Sequence, residues 1–89
     1  MAYATTARVT STGSVKGTKG TVWAVHVEPS GTAGTIVIKD GGASGTTVLS
    51  LATPASAASR YSLAFSQGLA CDASIYVEVS NAVAVVHYS

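Results

Sequence analysis

Thr35-Ile36-Val37-Ile38-Lys39, then Asp40-Gly41-Gly42-Ala43-Ser44-Gly45, then Thr46-Thr47-Val48-Leu49-Ser50-Leu51, reads as strand, turn, strand. β-Branched residues fill both arms, where they pack well on a pleated surface. Asp-Gly-Gly and Ser-Gly lie between them and supply the positive φ that a reversal needs. In the first arm Ile36 and Ile38 face one way, Val37 and Lys39 the other. In the second, Leu49 and Leu51 oppose Val48 and Ser50. Period-two alternation on both sides of a glycine turn predicts a β-hairpin.

The same rhythm extends outward from this hairpin. Upstream, residues 21–28 alternate Trp23, Val25 and Val27 against Val22, Ala24, His26 and Glu28, until Pro29-Ser30-Gly31 ends the strand. Before it, Val15 between Gly13 and Gly17 marks a short strand. Residues 1–12 form an N-terminal strand or extended arm, and 13–89 a single domain. Downstream, Tyr61, Leu63 and Phe65 alternate with Ser62, Ala64 and Ser66, and Gln67-Gly68 turns the chain. Ile75, Val77 and Val79 alternate with Tyr76, Glu78 and Ser80. Ser80-Asn81 is a tight reversal, and 82–88 is the last strand. About eight short strands at roughly ten-residue spacing predict an antiparallel β-sandwich, jelly-roll-like in its economy of turns.

Length and composition narrow the role. A chain of 89 residues is one domain, marginal by its own burial. Its one cysteine, Cys71, allows no internal disulfide and suits a reducing compartment. The first residues lack the basic and apolar regions of a secretion signal. The apolar run 82–86 is too short for a membrane helix.

Charged residues make up only 10% of the chain, against about 25% in an ordinary soluble domain. Hydrophobic residues still make up 47%, which excludes disorder. Clustered Lys and Arg are missing, which disfavours nucleic acid. A sparsely charged surface predicts that other protein covers much of it.

The last strand supports that expectation. It carries Val83 and Val85 on one side and Ala82, Ala84 and Val86 on the other. The Trp23 strand likewise has Val22 and Ala24 behind its large residues. A two-layer sandwich gives each strand a single inner face, so the second apolar face meets something else. Candidate interface residues are therefore Val22 and Val86, with Tyr76 and Tyr88, since tyrosine is enriched at protein contacts. Tyr3 and Arg8 join them from the N-terminal segment, which could reach onto a neighbour.

Reactive chemistry is thin. His26, Glu28 and His87 would make a two-His, one-carboxylate metal site only if their strands were adjacent in the right register. Gly13-Ser14-Val15-Lys16-Gly17-Thr18-Lys19-Gly20 has the wrong spacing for a phosphate loop, and no helix follows. Asp72 beside Cys71 raises rather than lowers the thiol pKa, so Cys71 reads as a small buried filler. Asp40 reads as a turn former. No catalytic residue, metal or cofactor is expected, and the chain does not read as an enzyme. An aromatic platform of Trp23, Tyr3, Tyr61, Tyr76, Tyr88 and Phe65 is the alternative, and would suit glycans.

One likeness follows from these residues. Val25 to Val27, Pro29-Ser30-Gly31-Thr32-Ala33-Gly34, the hairpin through Leu49, and Pro54-Ala55 resemble small virion proteins of tailed bacteriophages. Ser74-Ile75-Tyr76-Val77-Glu78-Val79-Ser80-Asn81-Ala82 and the valine-rich end fit the same type, so the likeness spans residues 21–88. It implies a capsid decoration or cement protein: a compact β fold, often a homotrimer, that clamps neighbouring major capsid protein subunits on a shell. Its location would be the virion, after synthesis in the host cytoplasm. The second expectation is a receptor- or glycan-binding fibre or tail module. The family brings no catalytic motif, so no functional residue is carried over from it.

Overall fold

The computed structural model describes residues 5–55 and 60–89. It contains β1 (Thr5–Val9), β2 (Gly13–Lys16), β3 (Gly20–Pro29), β4 (Gly34–Asp40), β5 (Thr46–Thr53), β6 (Tyr61–Cys71), β7 (Ile75–Ser80) and β8 (Ala82–Tyr88). Two four-stranded antiparallel sheets form, ordered β1-β8-β3-β6 and β2-β7-β4-β5. That order is a jelly roll.

The central hairpin generates this topology. Gly41 (φ 105°) and Gly42 (φ 90°) reverse the chain, and the Gly45 N–H closes the turn on the Gly42 carbonyl at 2.9 Å. Everything before the turn then pairs with everything after it: Ile36 lies opposite Leu51, Val25 opposite Leu63, Gly13 opposite Val77 and Thr5 opposite Tyr88. The hairpin is long enough to roll up, and only the β4–β5 connection stays within one sheet.

The core lies between the two sheets. Val22, Val25, Val27, Ile36, Ile38, Cys71, Ile75, Val77, Ala84 and Val86 are fully buried, with Val9 and Ala82 nearly so. The buried Ala82, Ala84 and Val86 of β8 and the larger Ile36, Ile38, Ile75 and Val77 of the opposite sheet belong to one core cluster, which mixes small and large side chains. Thr53 is buried too, and its Oγ1 accepts from the Gly34 N–H at 3.0 Å. The accessible surface is 4683 Å², close to the about 4800 Å² of a compact monomer of this mass. One copy is therefore as compact as a free-standing monomer of its mass.

The facing of β3 and β8 departs from simple alternation. The register of β3 slips between Val22 and Ala24 against both β6 and β8. This bulge turns Val22 inward and leaves Trp23 half-buried outside the core. On β8, Val86 and Ala84 pair with the inward Val25 and Val27. Val83 and Val85 are therefore the outward pair.

Candidate interaction surfaces

The five candidate interface residues among the described ones do not gather on one surface. Val22 and Val86 are fully buried, which overturns their assignment to an interface: the β3 bulge and the β8 register put both in the core. Tyr88 lies opposite Val22 and packs, half-buried, against that core. Tyr76 lies half-buried opposite Lys39 on β4 and opposite Ser14 on β2, a position on the outer face of the β2-β7-β4-β5 sheet. Arg8 is on the outer face of the other sheet. Thr5–Val9 is a strand paired with β8, and Tyr3 lies outside the described residues.

The outer face of the β1-β8-β3-β6 sheet combines apolar and polar groups. Arg8 pairs with Val85 across β1 and β8, and Glu28 pairs with Val83 across β3 and β8. The Arg8 Nη2–Glu28 Oε1 ion pair, at 3.1 Å, therefore spans β8 over its two outward valines. The Arg8 hydrogen bond, with the neighbouring charges of Arg8, Arg60 and His26, holds the Glu28 carboxyl below its ordinary value against a smaller desolvation effect. Exposed pairs of this kind contribute little to stability.

The register does bring the two histidines near each other. His87 lies opposite Ala24 and His26 opposite Val85, so the two are diagonal neighbours on one face. Their rings diverge, however. His26 Nδ1 contacts Ser62 Oγ on β6 at 2.7 Å, and His87 Nδ1 contacts Thr6 Oγ1 on β1 at 3.1 Å. Glu28 is committed to Arg8. Among the described residues no three potential ligands come together to hold a metal ion.

The aromatic side chains are dispersed. Trp23 donates from Nε1 to Ser89 Oγ at 2.9 Å and lies over Gly68. Tyr61 and Phe65 pack on the core, and Tyr76 belongs to the other sheet. Tyr76 and Tyr88 share no groove, because one faces outward and the other inward.

Asp40 does more than form a turn. Its carboxylate accepts from the backbone N–H groups of Asp72 (2.9 Å) and Ala73 (2.8 Å), with a longer contact to Ser74 (3.4 Å). The hairpin tip thereby holds the β6–β7 crossover. The hydrogen bonds from Ala73 and Asp72, and less from Ser74, keep the Asp40 carboxyl below its ordinary value, against a desolvation effect. A depressed carboxyl contributes stability above its unfolded value near 3.8 and loses it as pH falls through the lower folded value. Asp40→Asn should therefore lower the thermal midpoint at pH 7, and its gap from the parent should close as pH falls below about 4. Thermal melts of both proteins from pH 2 to pH 7 check this; a gap constant across that range would remove Asp40 from the acid response. The Cys71 thiol, fully buried, is pushed up by burial and by Asp40 and Asp72, as its sequence neighbour suggests.

Two other features were not singled out by sequence. A shallow groove of about 340 Å³ runs along the β1–β2 corner, lined by residues of 7–15 with hydroxyls and Arg8 at its wall. On the opposite edge, the inward side chains of β5 and β6 remain half-exposed. Leu49 and Leu51 lie opposite the fully buried Ile38 and Ile36; Leu63, Tyr61 and Leu69 lie opposite the fully buried Val25, Val27 and Val22. The available signal was the lack of any charged residue in 46–53 and in 61–71. Set against protein-family models, curated proteins and solved structures, the chain finds no match in any of the three.

Proposed function

We propose that this chain is a structural, non-enzymatic virion protein that decorates and stabilises a phage capsid as a homotrimer. The observation that carries the reading is apolar surface that one copy does not cover. Val83 and Val85 on β8 and Trp23 on β3 are half-buried on the outer face, and the inward side chains of the β5–β6 rim stay half-exposed at the edge of the core. With charges at 10% of residues, such a surface gains from being covered by protein. The jelly roll supports the reading by analogy, since this architecture builds capsid domains, though it also builds lectins and does not by itself imply a function. The mechanism is repeated surface burial: each copy contacts its mates and the major capsid protein, and multivalency turns weak single contacts into firm attachment.

Two measurements test this. Light scattering of the purified chain should give a mass near three times 8.9 kDa. Co-sedimentation with empty capsids of the virus that encodes it should pull the protein down in proportion to shell surface. Failure to sediment with those shells counts against decoration, whatever the mass.

A further inference from the structure

We infer that the β5–β6 edge of each copy faces the common axis of the oligomer and is occupied there by a second copy of this chain. This rests on the homo-oligomer reading above and names the surface involved. The four edge strands of the sandwich differ in how they are protected. Natural edges are blunted by charge, proline, bulges or shortness. β1 is five residues long and carries Arg8; β2 is four residues long, carries Lys16 and pairs irregularly. β5 and β6 run eight and eleven residues with no charged residue and no proline. β6 breaks its register with β3 between Ala64 and Leu69. The regular stretches Tyr61 to Ala64 on β6 and Leu49 to Thr53 on β5 carry no such break. They lie at the same end of the sandwich, where the Tyr61 hydroxyl reaches the Ala52 carbonyl at 3.4 Å.

The occupant follows from charge and area. An edge without charge meets copies of itself without like-charge repulsion, and it offers a charged partner nothing to pair with. Arg60, the nearest cation in sequence, precedes β6 and is exposed at the rim, where interfaces tolerate polar groups. The backbone envelope measures 33 × 31 × 17 Å. An edge of this flat body measures at most about 33 × 17 Å, so two edges reach the about 1,000 Å² of a specific interface when the whole edge is covered. The half-exposed Leu49, Leu51, Tyr61 and Leu63 would supply its apolar centre.

The test uses the full chain. Ala52→Lys and Leu63→Lys place a charge on this edge, and Ser14→Lys places one on the opposite edge at β2. The expected result is that both β5–β6 variants fall to the 8.9 kDa monomer with an unchanged circular dichroism spectrum, while Ser14→Lys keeps the parent mass. A variant that fails to fold is replaced by spin labels at Ala52→Cys and Ser14→Cys, since the native Cys71 is buried. Distances between copies should then be shorter at position 52 than at position 14. Lysine variants of the edge that keep the parent mass, or label distances in the reverse order, overturn the inference and leave capsid binding to be judged by co-sedimentation. A monomeric parent overturns both the edge and the homo-oligomer.

Discussion

Gly34→Ala should cost the protein about 3 kcal/mol or more of folding stability. Gly34 opens β4, and its neighbour Thr35 pairs with Ser80 at the end of β7. A Cβ at Gly34 would overlap the Ser80 carbonyl oxygen and sit 2.9 Å from the Asn81 carbonyl oxygen. Both obstacles are backbone, so no side chain can swing away. Asn81 is itself held at φ 53°, a left-handed conformation that asparagine tolerates better than most residues. It makes the one-residue reversal from β7 in one sheet to β8 in the other. The methyl group would have to push this reversal off β4, breaking the β4–β7 ladder at its end or the Gly34–Thr53 hydrogen bond. Urea unfolding at fixed protein concentration should show a lower midpoint at unchanged slope. A loss under about 0.5 kcal/mol, the scale of an ordinary surface substitution, would show that the reversal relaxes freely.

Ile38→Ala is expected to lose about 2–5 kcal/mol, the range for truncating a buried aliphatic side chain. Ile38 is fully buried between its pairing partners Leu49 on β5 and Val77 on β7. A domain of this size holds about 4–13 kcal/mol in all, so the loss is a large share. Val37→Ala, one position along, provides the contrast. Val37 is half-buried on the outer face, opposite Glu78 and Ser50, and should lose less than about 1 kcal/mol. Equal losses at the two positions would contradict the inward facing of Ile36 and Ile38.

The β4–β5 hairpin was legible because its signals are local. Gly41 and Gly42 adopt the positive φ that Asp-Gly-Gly announces, and alternation in 35–39 and 49–51 matches the observed facing, while Val48, at a register shift, packs on the core beside Leu49 instead of facing away from it. The turns at Pro29-Ser30-Gly31 and at Ser80-Asn81 stand where the chain chemistry puts them, but Gln67-Gly68 does not reverse the chain: both residues lie inside β6, where its register with β3 breaks and Gly68 takes φ 76°. The candidate interface was less legible. Val22 and Trp23 exchange roles at a bulge that alternation alone does not reveal, because the extra residue is specified by pairing with β6 and β8. Val86 faces inward because its partner Val25 does. That partner is separated from it by most of the chain.

Two half-exposed rows, on β5 and β6, were written in the sequence only as missing charge. The topology was needed to show that both rows lie on the same edge. The alternation of apolar and polar residues, with glycine, proline and asparagine between the runs, determined by itself an all-β chain that folds back about residues 41–45, because those preferences act over a few neighbouring residues. Which face of each strand is inside, and which leftovers share a surface, was decided only by the tertiary structure. A single bulge reverses the facing of everything beyond it, and the pairings that place it join residues far apart in the chain.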